Sequence, residues 1–281
     1  IKDLKNVKDI SKPWFIGGLF FAVISSVGVF NLSYMMMSGN ITQTLYLGST
    51  YYYLHFQYNG FFMFSCIGLL LNSLKNIGAD IPEKENKLMF WLLFIGNVIG
   101  VGLSLLYMKM PLWLSIVIVL GALSQTAGAV KLYILVKRNW AQLVVHFSAL
   151  QRFVLMYVGF AFFAKIVLQL GSNIPAVSQF AFGFRNVVIA YLHLILLMCI
   201  SVFLLNQILA TNVFKMTKPV ITGLKLLLLG IFLNEAMLGL MGVFSIKYVA
   251  IPYAPELLLV ISFLMLFALM LIFFSLKKKD I

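Results

Sequence analysis

Eight apolar segments set the terms for this chain, near residues 13–37, 49–73, 88–107, 112–136, 150–171, 185–208, 218–246 and 252–276. Each is long enough to cross about 30 Å of hydrocarbon as a helix rising about 1.5 Å per residue. The fold class that follows is all-α, a polytopic transmembrane helix bundle of about eight spans. Composition agrees, since 62% of the 281 residues are hydrophobic, 10% are charged and the mean hydropathy is +1.02. A water-soluble domain cannot hide that much apolar surface, whereas helices facing lipid can. No connection is long enough to hold a soluble domain, so residues 1–281 read as a single transmembrane helical domain. The 26 phenylalanines and 14 methionines read as lipid-facing and packing surface.

The net charge of +13 does not point to nucleic acid, because the basic residues sit in short connections between apolar runs. They behave as topology signals. Lys2, Lys5, Lys8 and Lys12, three lysines in 74–87, Lys137 and Arg138, Lys215 and Lys218, and Lys277 to Lys279 make fourteen on one side. The other side carries only Lys109, Arg185 and Lys247. The positive-inside rule then places both ends in the cytoplasm. Lys131, Arg152 and Lys225 fall inside helices, near enough to the inner surface to snorkel. Residues 139–149 suit a short interfacial helix, with Trp140 and His146 at headgroup level. The chain opens on Ile1 without a signal peptide, and Ile1 to Lys12 is a charged stretch of the kind that separates two spans. It therefore reads as a piece lacking upstream helices, with the bilayer and missing N-terminal helices or other membrane subunits as its partners.

The chemistry-bearing residues are few. Tyr51-Tyr52-Tyr53-Leu54-His55-Phe56-Gln57-Tyr58-Asn59-Gly60 brings a histidine, a glutamine, an asparagine and four tyrosines into the opening turns of the second span. Tyr51, Tyr52, Asn59 and Phe62 share the helical face of His55, and Asn59, four residues on, is its expected partner. His193 sits about two turns below Arg185 on the sixth span. Lys165 and Gln169 share a face of the fifth, and Glu235 lies beside Asn234 on the seventh. With the orientation above, these groups converge on the outer half of the membrane. Ionisable groups inside a bilayer are costly, which makes each a functional candidate. An imidazole there can ligate heme or copper, carry protons, or bond two helices together. Glu235 and Lys165 can equally form an ion pair that holds two helices together. Gln125 and Asn97 read as interhelical hydrogen-bonding residues, and His146 as structural. No phosphate loop, Ser-His-Asp set, HExxH or CxxCH motif appears, and no inverted repeat is evident. Cys66 and Cys199, in apolar segments without CxxC spacing, read as free buried thiols.

Two stretches carry a resemblance. Tyr53-Leu54-His55-Phe56-Gln57-Tyr58-Asn59-Gly60-Phe61-Phe62 and Arg185-Asn186-Val187-Val188-Ile189-Ala190-Tyr191-Leu192-His193-Leu194 look like a family of uncharacterised bacterial membrane proteins. That family is distantly similar to the catalytic subunit of heme-copper oxidases and nitric-oxide reductases. The resemblance implies a bacterial inner membrane and a twelve-helix fold of which the last eight helices are present, the spans of His55 and His193 standing sixth and tenth. His193 would then be a heme ligand, with His55 the second candidate for heme or metal, and the role would be electron transfer or heme, copper or nitric-oxide handling. The departures are equally specific. Asn59 stands where many oxidases carry tyrosine, Tyr191 replaces the first histidine of a His-x-His pair, and residues 88–107 contain no histidine. A complete heme–copper centre is thus not implied, and the copper site is incomplete. The alternative expectation is a small-solute or ion transporter, with His55, Lys165 and Glu235 lining a polar path.

Overall fold

The computed structural model describes residues 9–108, 110–211, 214–245 and 247–278. Lys2, Lys5, Lys8, Lys109 and Lys279, used above to orient the chain, lie outside the described residues. Eight helices are long and apolar enough to cross a membrane: Lys12–Ser38, Gln43–Asn76, Glu83–Leu105, Leu112–Arg138, Ala149–Gly171, Arg185–Ala210, Lys218–Ser245 and Ala254–Ser275. Each coincides with an expected span to within a few residues, and Trp140–His146 forms the expected short helix. The protein is an all-α polytopic membrane protein. A further helix, Pro175–Gly183, was not expected, and Phe214–Lys215 pairs antiparallel with Lys277–Lys278.

The ends follow local chemistry. Pro13 opens the first span, where its missing N–H costs nothing, and Gly39 closes it at φ 68°. Gly78, at φ 76°, ends the second span in the same way.

Contacts gather the chain into two compact units. The first runs to Ala149 and takes in Ile166–Gln179; the second comprises Leu150–Lys165 and the chain from Phe180 onward. In the first unit, spans one to three pack around Trp14, Phe21, Phe56, Phe64, Phe90 and Phe94, whose rings meet edge-on, tilted or, for Phe21 and Phe56, stacked, with centroids 4.8–5.6 Å apart. Phenylalanines thus serve both expected roles, Phe21, Phe56 and Phe64 in this core and others, such as Phe30, Phe273 and Phe274, on the exposed faces. Trp14 Nε1 donates to Asn86 Oδ1 at 2.9 Å, and Asn86 Nδ2 donates to the Ile10 carbonyl, locking the start of span one to span three. Spans three and four form a close hairpin in which Gly96, Gly121 and Gly128 let the backbones approach. At one end of that hairpin Asn139 bonds the Asp80 backbone in both directions, and Arg138 pairs with Glu85.

In the second unit, spans seven and eight form the corresponding close hairpin, with Gly223 against Ala268 and Ile272 and Gly230 against Met265. Span six packs on span seven, and Tyr157 donates its hydroxyl to the Leu228 carbonyl at 3.1 Å. Cys66 and Cys199 are buried thiols that form no disulfide, as expected.

Candidate functional site

His55 lies in the first unit and is 1% exposed. Its Nε2–H donates to the Asn97 backbone carbonyl at 2.9 Å, close to where span three tightens from α into a 3₁₀ turn at Val101. Its Nδ1 accepts from Asn59 Nδ2 at 3.2 Å and from Ser104 Oγ at 3.4 Å. The Asn59 partnership is the one its spacing implied. Both ring nitrogens are engaged, so His55 as packed is a neutral imidazole joining spans two and three. Gln125 is an interhelical residue as expected, donating from Nε2 to the Gly96 carbonyl at 2.8 Å. Asn97 contributes its main chain to the network, whereas its carboxamide meets no partner among the described residues. Tyr51 stacks edge-on to Tyr107, and Tyr52 edge-on to Phe56. Gln169 is buried, with its Oε1 unmet.

His193, in the second unit, has a different environment. Its side chain is 45% exposed. Asn234 Nδ2 lies 3.1 Å from its Nδ1 and 3.3 Å from Glu235 Oε1, while that carboxylate oxygen is 3.9 Å from the ring nitrogen. With the amide so placed, Nδ1 accepts and Nε2 carries the proton. No described residue bonds Nε2. From Asn186 to His193 every residue is half-buried and Arg185 is exposed, so this half of span six, which carries Arg185, Tyr191 and His193 among apolar residues, is less closely packed than the half that follows.

Glu235 thus engages Asn234 and His193, and among the described residues no Lys165–Glu235 ion pair forms. Lys165 is buried at 3% exposure, with its ammonium 5.9 Å from the Phe162 ring. The ion-pair alternative is replaced by a His–Asn–Glu cluster because Asn234 and Glu235, though adjacent, both reach the same imidazole.

The two histidines share a local design that sequence reasoning passed over. His55 is followed at once by a π-helical segment, Phe56–Phe62, and His193 by another, Leu194–Ser201. Such wide turns leave carbonyls to be satisfied otherwise, and Ser201 Oγ donates to the Leu196 carbonyl five residues back at 2.8 Å. The sequence holds a signal for the parallel: Tyr53-Leu54-His55 recurs 138 residues on as Tyr191-Leu192-His193. Asn97, Gly102 and Leu103 likewise recur 137 residues on as Asn234, Gly239 and Leu240. Each unit therefore places a histidine of its second span against an asparagine of its third.

No protein-family model, curated protein or solved structure matches this chain.

Proposed function

We propose that this integral membrane protein holds a heme through His193, for electron transfer or for handling heme, copper or nitric oxide, without a heme–copper dinuclear centre. The observation that supports it is the open Nε2 of an imidazole whose Nδ1 is already steered by Asn234 and Glu235. Ligating histidines are ordinarily oriented in this way by a carboxylate or carbonyl on their other nitrogen. Turning the Asn234 amide over presents Oδ1 to Nδ1–H and frees the Nε2 lone pair; Glu235 Oε1 then loses its Asn234 donor and takes up a proton or turns toward Nδ1–H. A single imidazole with an open Nε2 would suit heme; toward copper, the described residues bring only Glu235 near His193 as a second ligating side chain. His55 fits a ligand role only after breaking its bonds to Asn97, Asn59 and Ser104. Bound heme would supply one-electron chemistry; the chain's own part is to hold and orient the imidazole. The distant resemblance to oxidases points the same way. The fourteen-to-three division of basic residues favours both ends of the chain being cytoplasmic, and the resemblance to bacterial membrane proteins favours a bacterial inner membrane.

The test is a reduced-minus-oxidised absorbance spectrum of protein expressed with ample heme, beside His193→Ala. A Soret band present in the parent and lost in the variant is the expected result. No Soret band in either overturns the proposal. It would favour a second reading, a solute or ion transporter, which rests on Lys165 being buried in a span without an ion-pair partner among the described residues.

A further inference from the structure

The buried polar atoms around His55 carry an inference independent of heme. Asn97 is 2% exposed, yet neither its Oδ1 nor its Nδ2 meets a partner among the described residues. Asn59, 3% exposed and bonded to His55 through Nδ2, has its Oδ1 in the same condition. Folded proteins seldom leave such atoms unmet, and water or another bound molecule is the usual remedy.

The second unit provides a comparison. There the corresponding asparagine, Asn234, directs its carboxamide to His193 and Glu235. In the first unit Asn59 and Ser104 already occupy Nδ1 of the imidazole, and the Asn97 carbonyl takes Nε2–H. The Asn97 carboxamide is therefore left over. The packing there is close: a Cβ on Gly100 would lie 2.5 Å from Gln125 Nε2 and 3.5 Å from His55 Cε1. Spans two, three and four thus bring His55, Asn59, the Asn97 backbone and Gln125 into one polar neighbourhood, with room for no more than a small molecule.

The unmet atoms define the ligand's chemistry. Asn97 Nδ2 asks for an acceptor, whereas Asn97 Oδ1 and Asn59 Oδ1 ask for donors. A bare cation would leave the N–H groups unmet, and an anion would leave both oxygens unmet. We propose that the first unit holds a small, neutral, amphiprotic ligand beside His55, bound by the Asn97 carboxamide and Asn59 Oδ1, for which water is the simplest candidate. Bound there, it makes a polar node between spans two and three.

Thermal unfolding of Asn97→Leu in detergent separates the possibilities, because leucine has nearly the same shape and no polar atoms. If a ligand bridges Asn97, the substitution strands it and lowers Tm by about 3–6 °C. If the carboxamide is dry, removing two unmet groups raises Tm, and the proposal fails. Should the variant not fold, water-edited solid-state NMR of the wild-type protein in bilayers decides. Transfer from water to the Asn97 side-chain amide as fast as to the connecting loops supports the site; transfer as slow as to lipid-facing side chains overturns it.

Discussion

At the scale of single residues, the same side-chain type takes opposite roles according to what its neighbours leave free. His55 and His193 sit in equivalent sequence settings, and each has its Nδ1 engaged, by Asn59 and Ser104 in the first case and by Asn234 in the second. The difference lies at Nε2, which the Asn97 carbonyl takes in His55 and no described residue takes in His193. A pH-sensitive contact lies elsewhere, outside the spans. The Asp9 carboxyl is held down at about 2, first by the Lys75 ammonium at 2.8 Å and then by the Ser11 N–H. Its folded pKa lies below the unfolded value of 3.8, so its contribution is complete above about pH 4 and disappears as pH falls toward 2. Because the pair is largely solvated, the effect is expected to be about 0.5–1 kcal/mol. Lys75→Met should remove it, seen as a smaller drop in Tm between pH 5 and pH 3 than in wild type.

At the scale of elements, glycines decide how closely spans three and four approach. A Cβ at Gly96 would come 2.6 Å from Gln125 Cγ and 2.9 Å from the Gly121 carbonyl, whereas one at Gly159 would meet nothing within 4 Å. Gly96→Ala is expected to cost roughly 1–3 kcal/mol through overpacking, and Gly159→Ala to be neutral or slightly stabilising. Denaturation of both variants in one detergent checks the contrast; equal effects would mean that the hairpin does not rely on this contact. The spans themselves were legible in the sequence because runs of apolar residues between charged connections leave little choice of boundary. Asn59 as partner of His55 was legible from its spacing. The π-helical segments were not, because a five-residue hydrogen-bond step is imposed by packing and leaves no composition behind. The cluster of His193, Asn234 and Glu235 was missed for a related reason. Depth along a helix can be read from position, but which neighbour a carboxylate turns toward depends on helix rotation.

At the scale of the whole molecule, charge and topology are linked. Basic residues crowd the connections on one side of the spans, including Arg138, which pairs with Glu85, and Lys75, which pairs with Asp9. Reporter fusions placed after Lys84 and after Tyr253 are expected on opposite faces of the membrane, the first cytoplasmic. A matching location for both would contradict eight crossings. The recurrence across the two halves was present in the sequence as Tyr-Leu-His and as asparagine with a later Gly-Leu. Such short identities stand out only after the shared hinge of π-helix directs attention to them.

The spacing of that recurrence has a consequence for how such a chain can change. Four crossings separate Tyr53-Leu54-His55 from Tyr191-Leu192-His193. Four is even, so a cassette of this length can be gained or lost without turning any later helix upside down. Inserting an odd number would invert every downstream span and set its lysines against the positive-inside bias. A protein assembled in even cassettes keeps its polarity whatever its length, and each copy is free to seal its histidine or leave it open.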